Sequence, residues 1–453
     1  MQVSQGSEPG QELSGLKQIS GIESLLEKIS HPVIRPGLSR VAKLLSRMGH
    51  PERTFPSVHV VGTNGKGSIA AMLESIFLEA GYTTCMYTSP HLMGITERLR
   101  FSGAPVAPET LFLSLEKAGR LLEYEMDPDE KPTYFEVLTA AAFDAIGSYS
   151  PDIAIIEAGM GGRLDATNIL GNVLITVISS IGPDHSQYLG GSIIEIAMEK
   201  FQVLRPGGAS VFSGNPPELE ETYRKYCKKI GNRGLLASSS TSLRDLRIGE
   251  EGNEFEISIE GSAFFQARSR LGGVYQFENA STALLAAHVL SRSYVSISKN
   301  SMIRGIANAS WPGRMERFSL DGKQVILDGA HNLPGIKAVI DTIEALGARS
   351  EHAVVFTSMK DKDTDRMVES LCRAFPMVVF TSIPGMERCV DPLLLLGKAK
   401  ELPTECDLSV VHDPFTALLR AMGKYDKVIC CGSLFLAGEI RKRLLEVSVG
   451  QDQ

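Results

Sequence analysis

The chain has 453 residues, 43% of them hydrophobic and 22% charged, with a formal net charge of -7. That is ordinary for a globular protein with ample material for a buried core, and one to three domains fit the length. The mild negative charge, without long single-sign runs, argues against a nucleic-acid binder, and no apolar run reaches the ~20 residues that span a bilayer.

Residues 1–18 read as a disordered tail, rich in Gln, Ser, Gly, Glu and Pro and poor in apolar anchors. Met1 to Gly10 has no apolar stretch of the kind a signal peptide needs. The seven cysteines are odd in number and lack CxxC spacing, so reduced thiols in a cytoplasmic protein are expected rather than disulfides or zinc.

Regular organisation begins near Ile22. Ser57 to Val61 reads as a buried strand, Gly62 to Gly67 as a glycine-rich turn, and Ser68 to Ala80 as a helix closed by Gly81. Strand, turn and helix in that order open a parallel α/β unit. Cys85 to Tyr87, Ile153 to Ile156 and Val173 to Ile178 are further strands. Alternation around Phe255 to Ile259 predicts an antiparallel hairpin between 249 and 260. The pattern breaks near Trp311-Pro312-Gly313. A second α/β series follows, with strands at Val325 to Leu327, Ala353 to Phe356, Met377 to Phe380, Leu408 to Val411 and Val428 to Cys430. Domains are expected at 19–311 and 312–453.

The strongest chemical signal is Gly62-Thr63-Asn64-Gly65-Lys66-Gly67-Ser68. Glycines let backbone N–H groups wrap around phosphate oxygens at a helix start, Lys66 suits the outer phosphates, and Ser68 suits phosphate or Mg²⁺. Compared with the common GxxxxGK[ST] loop, Gly67 is inserted between Lys66 and Ser68. Three further candidates follow strand ends, where open α/β sheets bind ligands. They are Ser89 in Thr88-Ser89-Pro90-His91-Leu92, Glu157 before Gly159-Met160-Gly161-Gly162, and His185 after Asp184. In isolation His185 reads as structural; three oxygen and nitrogen ligands at successive strand ends shift the balance toward a metal site.

Together these motifs resemble the folylpolyglutamate synthase and dihydrofolate synthase family, within the Mur-ligase-like amide ligases. The resemblance runs from about residue 34 to residue 442. It includes GTNGKGS at 62–68, TSPHL at 88–92, TERLR at 96–100, TYFEVLTAAAF at 133–143, EAGMGGRLDATN at 157–168 and GPDHSQYLG at 182–190. YQFENASTAL at 275–284, WPGRME at 311–316, LDGAHN at 327–332 and GSLFLAGEIR at 432–441 complete it.

The resemblance implies an N-terminal P-loop-type ATPase domain with a mainly parallel sheet and a small antiparallel element, and a C-terminal Rossmann-like α/β domain. It implies ligation of L-glutamate to dihydropteroate, to folate (poly)glutamates or to both, through an acyl phosphate made from ATP, by a monomer. It assigns Thr63, Asn64, Gly65, Lys66, Gly67, Ser68, Asn279, Arg314 and Asp328 to the nucleotide, and Ser89, Glu157 and His185 to two Mg²⁺ ions. Asp165, His331 and Ser433 match positions tied to catalysis or glutamate handling. Arg35, Pro36 and Gly37, Tyr134, Phe135 and Glu136, and Leu164, Asp165 and Ala166 match the pterin side; Phe135 reads equally well as core. Lys200 matches a lysine often carbamylated in the family. Here the family's Glu-Lys-Ala-Gly-Ile is replaced by Glu199-Lys200-Phe201-Gln202-Val203. A bulky aromatic beside Lys200 raises the prospect of a crowded lysine or a reshaped folate pocket; carbamylation of Lys200 is still expected. The rivals are a Mur-type ligase acting on a peptidoglycan precursor and a nucleotide-binding module without catalysis.

Overall fold

The computed structural model describes residues 21–31, 33–125, 131–347 and 349–451. The tail expected at 1–18 lies outside the described residues.

Eight strands build the first sheet: β1 (Ser57–Val61), β2 (Thr84–Tyr87), β3 (Leu99–Phe101), β4 (Ala104–Pro105), β5 (Ile153–Glu157), β6 (Val173–Ile178), β7 (Ala209–Phe212) and β8 (Arg233–Leu236). Their order is β4-β3-β2-β5-β1-β6-β7-β8. The six strands from β2 to β8 run parallel, and β3 and β4 form an antiparallel edge. Every residue of β1, β2 and β5 is buried. Such continuous apolar runs are what a sheet covered on both faces requires.

The helix Lys66–Glu79 starts two residues earlier than its periodicity indicated, with Gly65 at φ 87° turning the chain into it. It is buried on nearly all sides, between the sheet and the helices Tyr275–Ser291 and Lys299–Asn308. A Cβ on Gly305 would stand 2.4 Å from the Ile76 Cα, so glycine is what permits this helix contact.

The expected hairpin is a three-stranded antiparallel sheet: β9 (Thr241–Gly249), β10 (Gly252–Ile259) and β11 (Phe265–Ser269), with β10 central. β10 turns Phe255, Ile257 and Ile259 into the core, and β11 alternates beside it with Ala267 inward. β9 is mostly exposed and carried no apolar signal.

The C-terminal sheet comprises β12 (Glu316–Leu320), β13 (Lys323–Leu327), β14 (His352–Phe356), β15 (Met377–Phe380), β16 (Asp407–Val410) and β17 (Lys427–Cys431), in the order β12-β13-β17-β14-β15-β16. All pairings are parallel except that of β12 with β13. The fold is therefore α/β in both halves, as expected. β12 escaped the sequence because four of its five residues are only partly buried or exposed.

Candidate functional site

A cavity of about 800 Å³ lies between the two parallel sheets, at the ends of β1, β5, β6 and β13. Its walls include Gly62 to Ser68, Ser89, Glu157, His185, Lys200, Asn279, Arg314, Asp328, His331 and Ser433. Chain segments some 370 residues apart thus meet in one place.

The phosphate loop is held from below. The Thr63 N–H donates to Ser180 O at 2.8 Å, and the Thr63 hydroxyl pairs with the Gly182 backbone. The Ser68 hydroxyl accepts from Gln276 Nε2, and Gln276 Oε1 accepts from Asn279 Nδ2. Asn279 also explains Gly65, where a Cβ would lie 2.3 Å from Asn279 Oδ1. Lys66 Nζ donates to Thr63 O at 3.2 Å and stands 3.8 Å from Glu157. Glu157 accepts one long contact from the Ser89 N–H at 3.4 Å. Burial pushes the Glu157 carboxyl above its ordinary range against the pull of Lys66. Burial also draws His185 down to about 4, leaving a neutral imidazole with a free lone pair.

Lys200 is buried, with Nζ donating to Gly62 O at 2.9 Å. Burial first, and then Lys66, lower it to about 7. The concern about Phe201 does not hold. Its ring packs on Phe212 and Tyr223, at 5.6 and 5.4 Å, in a fully buried cluster, and Gln202 is exposed. The helix places successive side chains about 100° apart, so the aromatic enters the core while the lysine reaches the loop.

The C-terminal side closes over the loop through polar contacts. Asn64 and Asn332 exchange amide hydrogen bonds, 3.0 Å each way. Asp184 accepts from Lys362 at 2.5 Å and from Asn332 at 3.1 Å, with His331 Nε2 3.7 Å away. Burial alone would raise the Asp184 carboxyl, but His331, Lys362 and His185 outweigh it and hold it well below the usual range. Asp328 is fully engaged: its oxygens accept from the Tyr275 hydroxyl and from the Met315 and Ala330 N–H groups. Arg314 faces the cavity with one hydrogen bond of its own, to Gly313 O. Ser433 lines the cavity but also caps the last helix, accepting from the Phe435 N–H.

The residues expected on the pterin side do not line this cavity. Arg35 and Pro36 are exposed, with Gly37 beside them. Glu136 is buried in a capping box at Thr133 and is paired to Arg40 at 2.8 Å. Asp165 is buried and accepts from the Met160 and Thr167 N–H groups. Leu164 and Ala166 flank it, and Ala166 belongs to the core. Phe135 takes the core reading. It packs on the core, stacked against Tyr87 at 6.3 Å, and it abuts Gly159 in the cavity wall. Tyr134 lies under Arg98, itself a wall residue.

Lys362, Asn332, Gln276 and Glu278 were not singled out from sequence. Asn332 lay within LDGAHN, and Gln276 and Glu278 within YQFENASTAL. Lys362 sits in a charged run, Lys360 to Asp363, which reads as solvated surface, yet its side chain is 7% exposed.

Two domain families match this chain: the Mur ligase middle domain over residues 60–287, and the Mur ligase glutamate ligase domain over 313–434. A Bacillus subtilis dihydrofolate synthase/folylpolyglutamate synthase is 34% identical over 91% of this chain and 95% of its own. The chain belongs to the folylpolyglutamate synthase and dihydrofolate synthase family. An Escherichia coli dihydrofolate synthase/folylpolyglutamate synthase is 32% identical over 92% of this chain and 93% of its own. Among solved structures, Mycobacterium tuberculosis folylpolyglutamate synthase complexed with ADP has a TM-score of 0.86 and 28% identity, covering 95% of this chain and 99% of that one. E. coli FolC in complex with DHPP and ADP has a TM-score of 0.81 and 27% identity, covering 96% and 98%. Like those family members, the chain is an ATP-dependent ligase. No helix among the described residues is long and apolar enough to cross a membrane.

Proposed function

We propose that the protein ligates L-glutamate to dihydropteroate or to a reduced folate, consuming ATP. A carboxylate oxygen of the acceptor attacks the γ-phosphorus and ADP leaves. The glutamate amine then attacks the acyl carbon, an amide bond forms, and phosphate departs with the former carboxylate oxygen. Thr63 to Ser68 bind the phosphates, through Lys66 and the N–H groups that follow Thr63, and Asn279 and Asp328 also serve the nucleotide. Arg314, with spare donors, stabilises the charge of the transferring phosphoryl group. His331 and Ser433 serve the glutamate, and Asp165 serves the acceptor side.

Ser89, Glu157 and His185 would hold Mg²⁺. The under-bonded Glu157 carboxylate fits an oxygen-seeking dication, and the neutral His185 adds no opposing charge. Among the described residues no trio of His, Cys, Asp or Glu is grouped to hold an ion unaided, which suits an ion that shares its ligands with phosphates. When bound, Mg²⁺ neutralises phosphate charge. Carbamylated Lys200 would support a second ion; its lowered pKa favours the neutral amine that reacts with CO₂. The work divides between domains 19–311 and 312–453 in a monomer.

The observation that carries this reading is the meeting of Lys66, Glu157 and Arg314 around one interdomain cavity. The inactive-module rival loses its only support, since Phe201 packs into the core. Glutamate incorporation and phosphate release are to be compared with dihydropteroate and with tetrahydrofolate. Turnover with at least one is expected; none with either would overturn the proposal.

A further inference from the structure

His59 stands at the middle of β1, fully buried, and no step of the proposed reaction uses it. Its Nε2 lies 2.9 Å from the Thr167 hydroxyl. That hydroxyl lies 2.5 Å from Asp165 Oδ1. A threonine hydroxyl has one proton, and the short contact to a carboxylate claims it. The hydroxyl must then accept from His59, which fixes the ring as the Nε2–H tautomer. Nδ1 has no hydrogen-bond partner among the described residues. Burial, and after it the Arg205 charge, hold the ring neutral, with its pKa drawn down to about 3.

The line continues toward the cavity. Asp165 Oδ1 also accepts from the Thr167 N–H at 3.0 Å, and Oδ2 accepts from the Met160 N–H at 2.8 Å. Gly159, Met160 and Gly161 line the cavity. On the other side of this turn a Cβ at Gly159 would meet the Phe135 ring at 2.5 Å. The turn is therefore gripped between an aromatic face and a carboxylate.

We infer that His59 is a positioning residue, which through the Thr167 hydroxyl orients the Asp165 carboxylate and so fixes the glycine turn 158–162 on the acceptor side of the cavity. The inference rests on the proposed reaction taking place in this cavity. Thr167→Val and His59→Leu cut the relay. Thr167→Ser and His59→Gln keep a hydroxyl and a donor.

The measurements are kcat, acceptor KM and ATP KM on protein whose Tm shows it folded. The cut variants are expected to raise acceptor KM roughly tenfold or more with ATP KM unmoved, because small displacements of a positioning wall are costly. The conservative pair should recover most of the loss. A folded Thr167→Val with unchanged acceptor KM, or Thr167→Ser as impaired as Thr167→Val, overturns the inference. Should the cut variants not fold, NMR of wild-type protein labelled with 15N-histidine decides. An Nε2–H on His59 from about pH 5 to 8 supports the relay; the Nδ1–H tautomer, with Nε2 bare, overturns it. If the wild type turns over no pteroate-type acceptor, the reaction reading fails, and the NMR result still stands on its own.

Discussion

The two sides of the cavity are built on opposite terms. On the phosphate side, charges are left short of partners among the described residues: the half-buried Lys66 has one backbone hydrogen bond and a 3.8 Å neighbour, and the buried Glu157 one long contact. Behind the wall, on the side proposed for the acceptor, charges are fully engaged: Glu136 by Arg40 and the Thr133 N–H, Asp165 by Met160 and Thr167. Leaving a buried polar group short of partners costs about 1–3 kcal/mol. A fold keeps such groups where a ligand will complete them. Engaged charges shape a wall instead.

The sharpest way to break that contrast is Lys66→Ala. Turnover should fall by on the order of 10³ or more, because in the proposed reaction the lost cation faces the transferring phosphoryl group. Tm should hardly move, since among the described residues the side chain makes one hydrogen bond, to Thr63 O. Phosphate-release kinetics and a melting curve read both; near-normal turnover would erase the distinction.

Lys362→Met tests the seam between the two sheets. Lys362 binds Asp184, which also receives Asn332, the partner of the loop residue Asn64. Removing it should lower kcat/KM for ATP by roughly ten- to a hundredfold through a misplaced closing half. An unchanged value would show that closure does not depend on this pair.

The difference between the two sides also explains what the sequence disclosed. The phosphate loop is contiguous, so Gly62 to Ser68 announced both its geometry and its chemistry, and the buried strands β1, β5 and β6 were plain apolar runs. The seam is made of residues such as Lys362 and Asn332, brought to Asp184 only by the docking of two sheets. No local pattern distinguishes Lys362 from the solvated lysines around it. Phe201 shows the reverse failure. A bulky residue next to Lys200 looked intrusive in one dimension, yet helical geometry sends it to the core. Glu136 and Asp165 were visible as motif residues, but only the structure shows their oxygens already taken.

Glu136→Gln tests the acceptor side as a scaffold. The amide keeps an acceptor for the Thr133 N–H and gives up the charge that Arg40 holds. Stability should drop by about 1–3 kcal/mol, with acceptor KM little changed. A large rise in KM with an unmoved Tm would place Glu136 against the ligand and break the comparison.

The smallest effect is a difference of slopes. In an unfolded chain His59 takes up its proton near pH 6.5, but in the folded core only near 3. Between those values the unfolded state binds a proton that the folded state refuses, so stability falls as the pH is lowered. Above 6.5 the two states are both neutral and the contribution vanishes. Gln cannot titrate, so Tm of His59→Gln should fall less steeply than wild type between pH 6.5 and 4.5. His91 and His185, both drawn down to about 4 by burial, tilt the two curves equally and cancel in the difference. Parallel curves would mean that His59 accepts its proton in the folded protein as readily as in the unfolded chain. A ring that charges so readily would not be sealed in the core, and the reason for counting the wall in front of Asp165 as rigid would go with it.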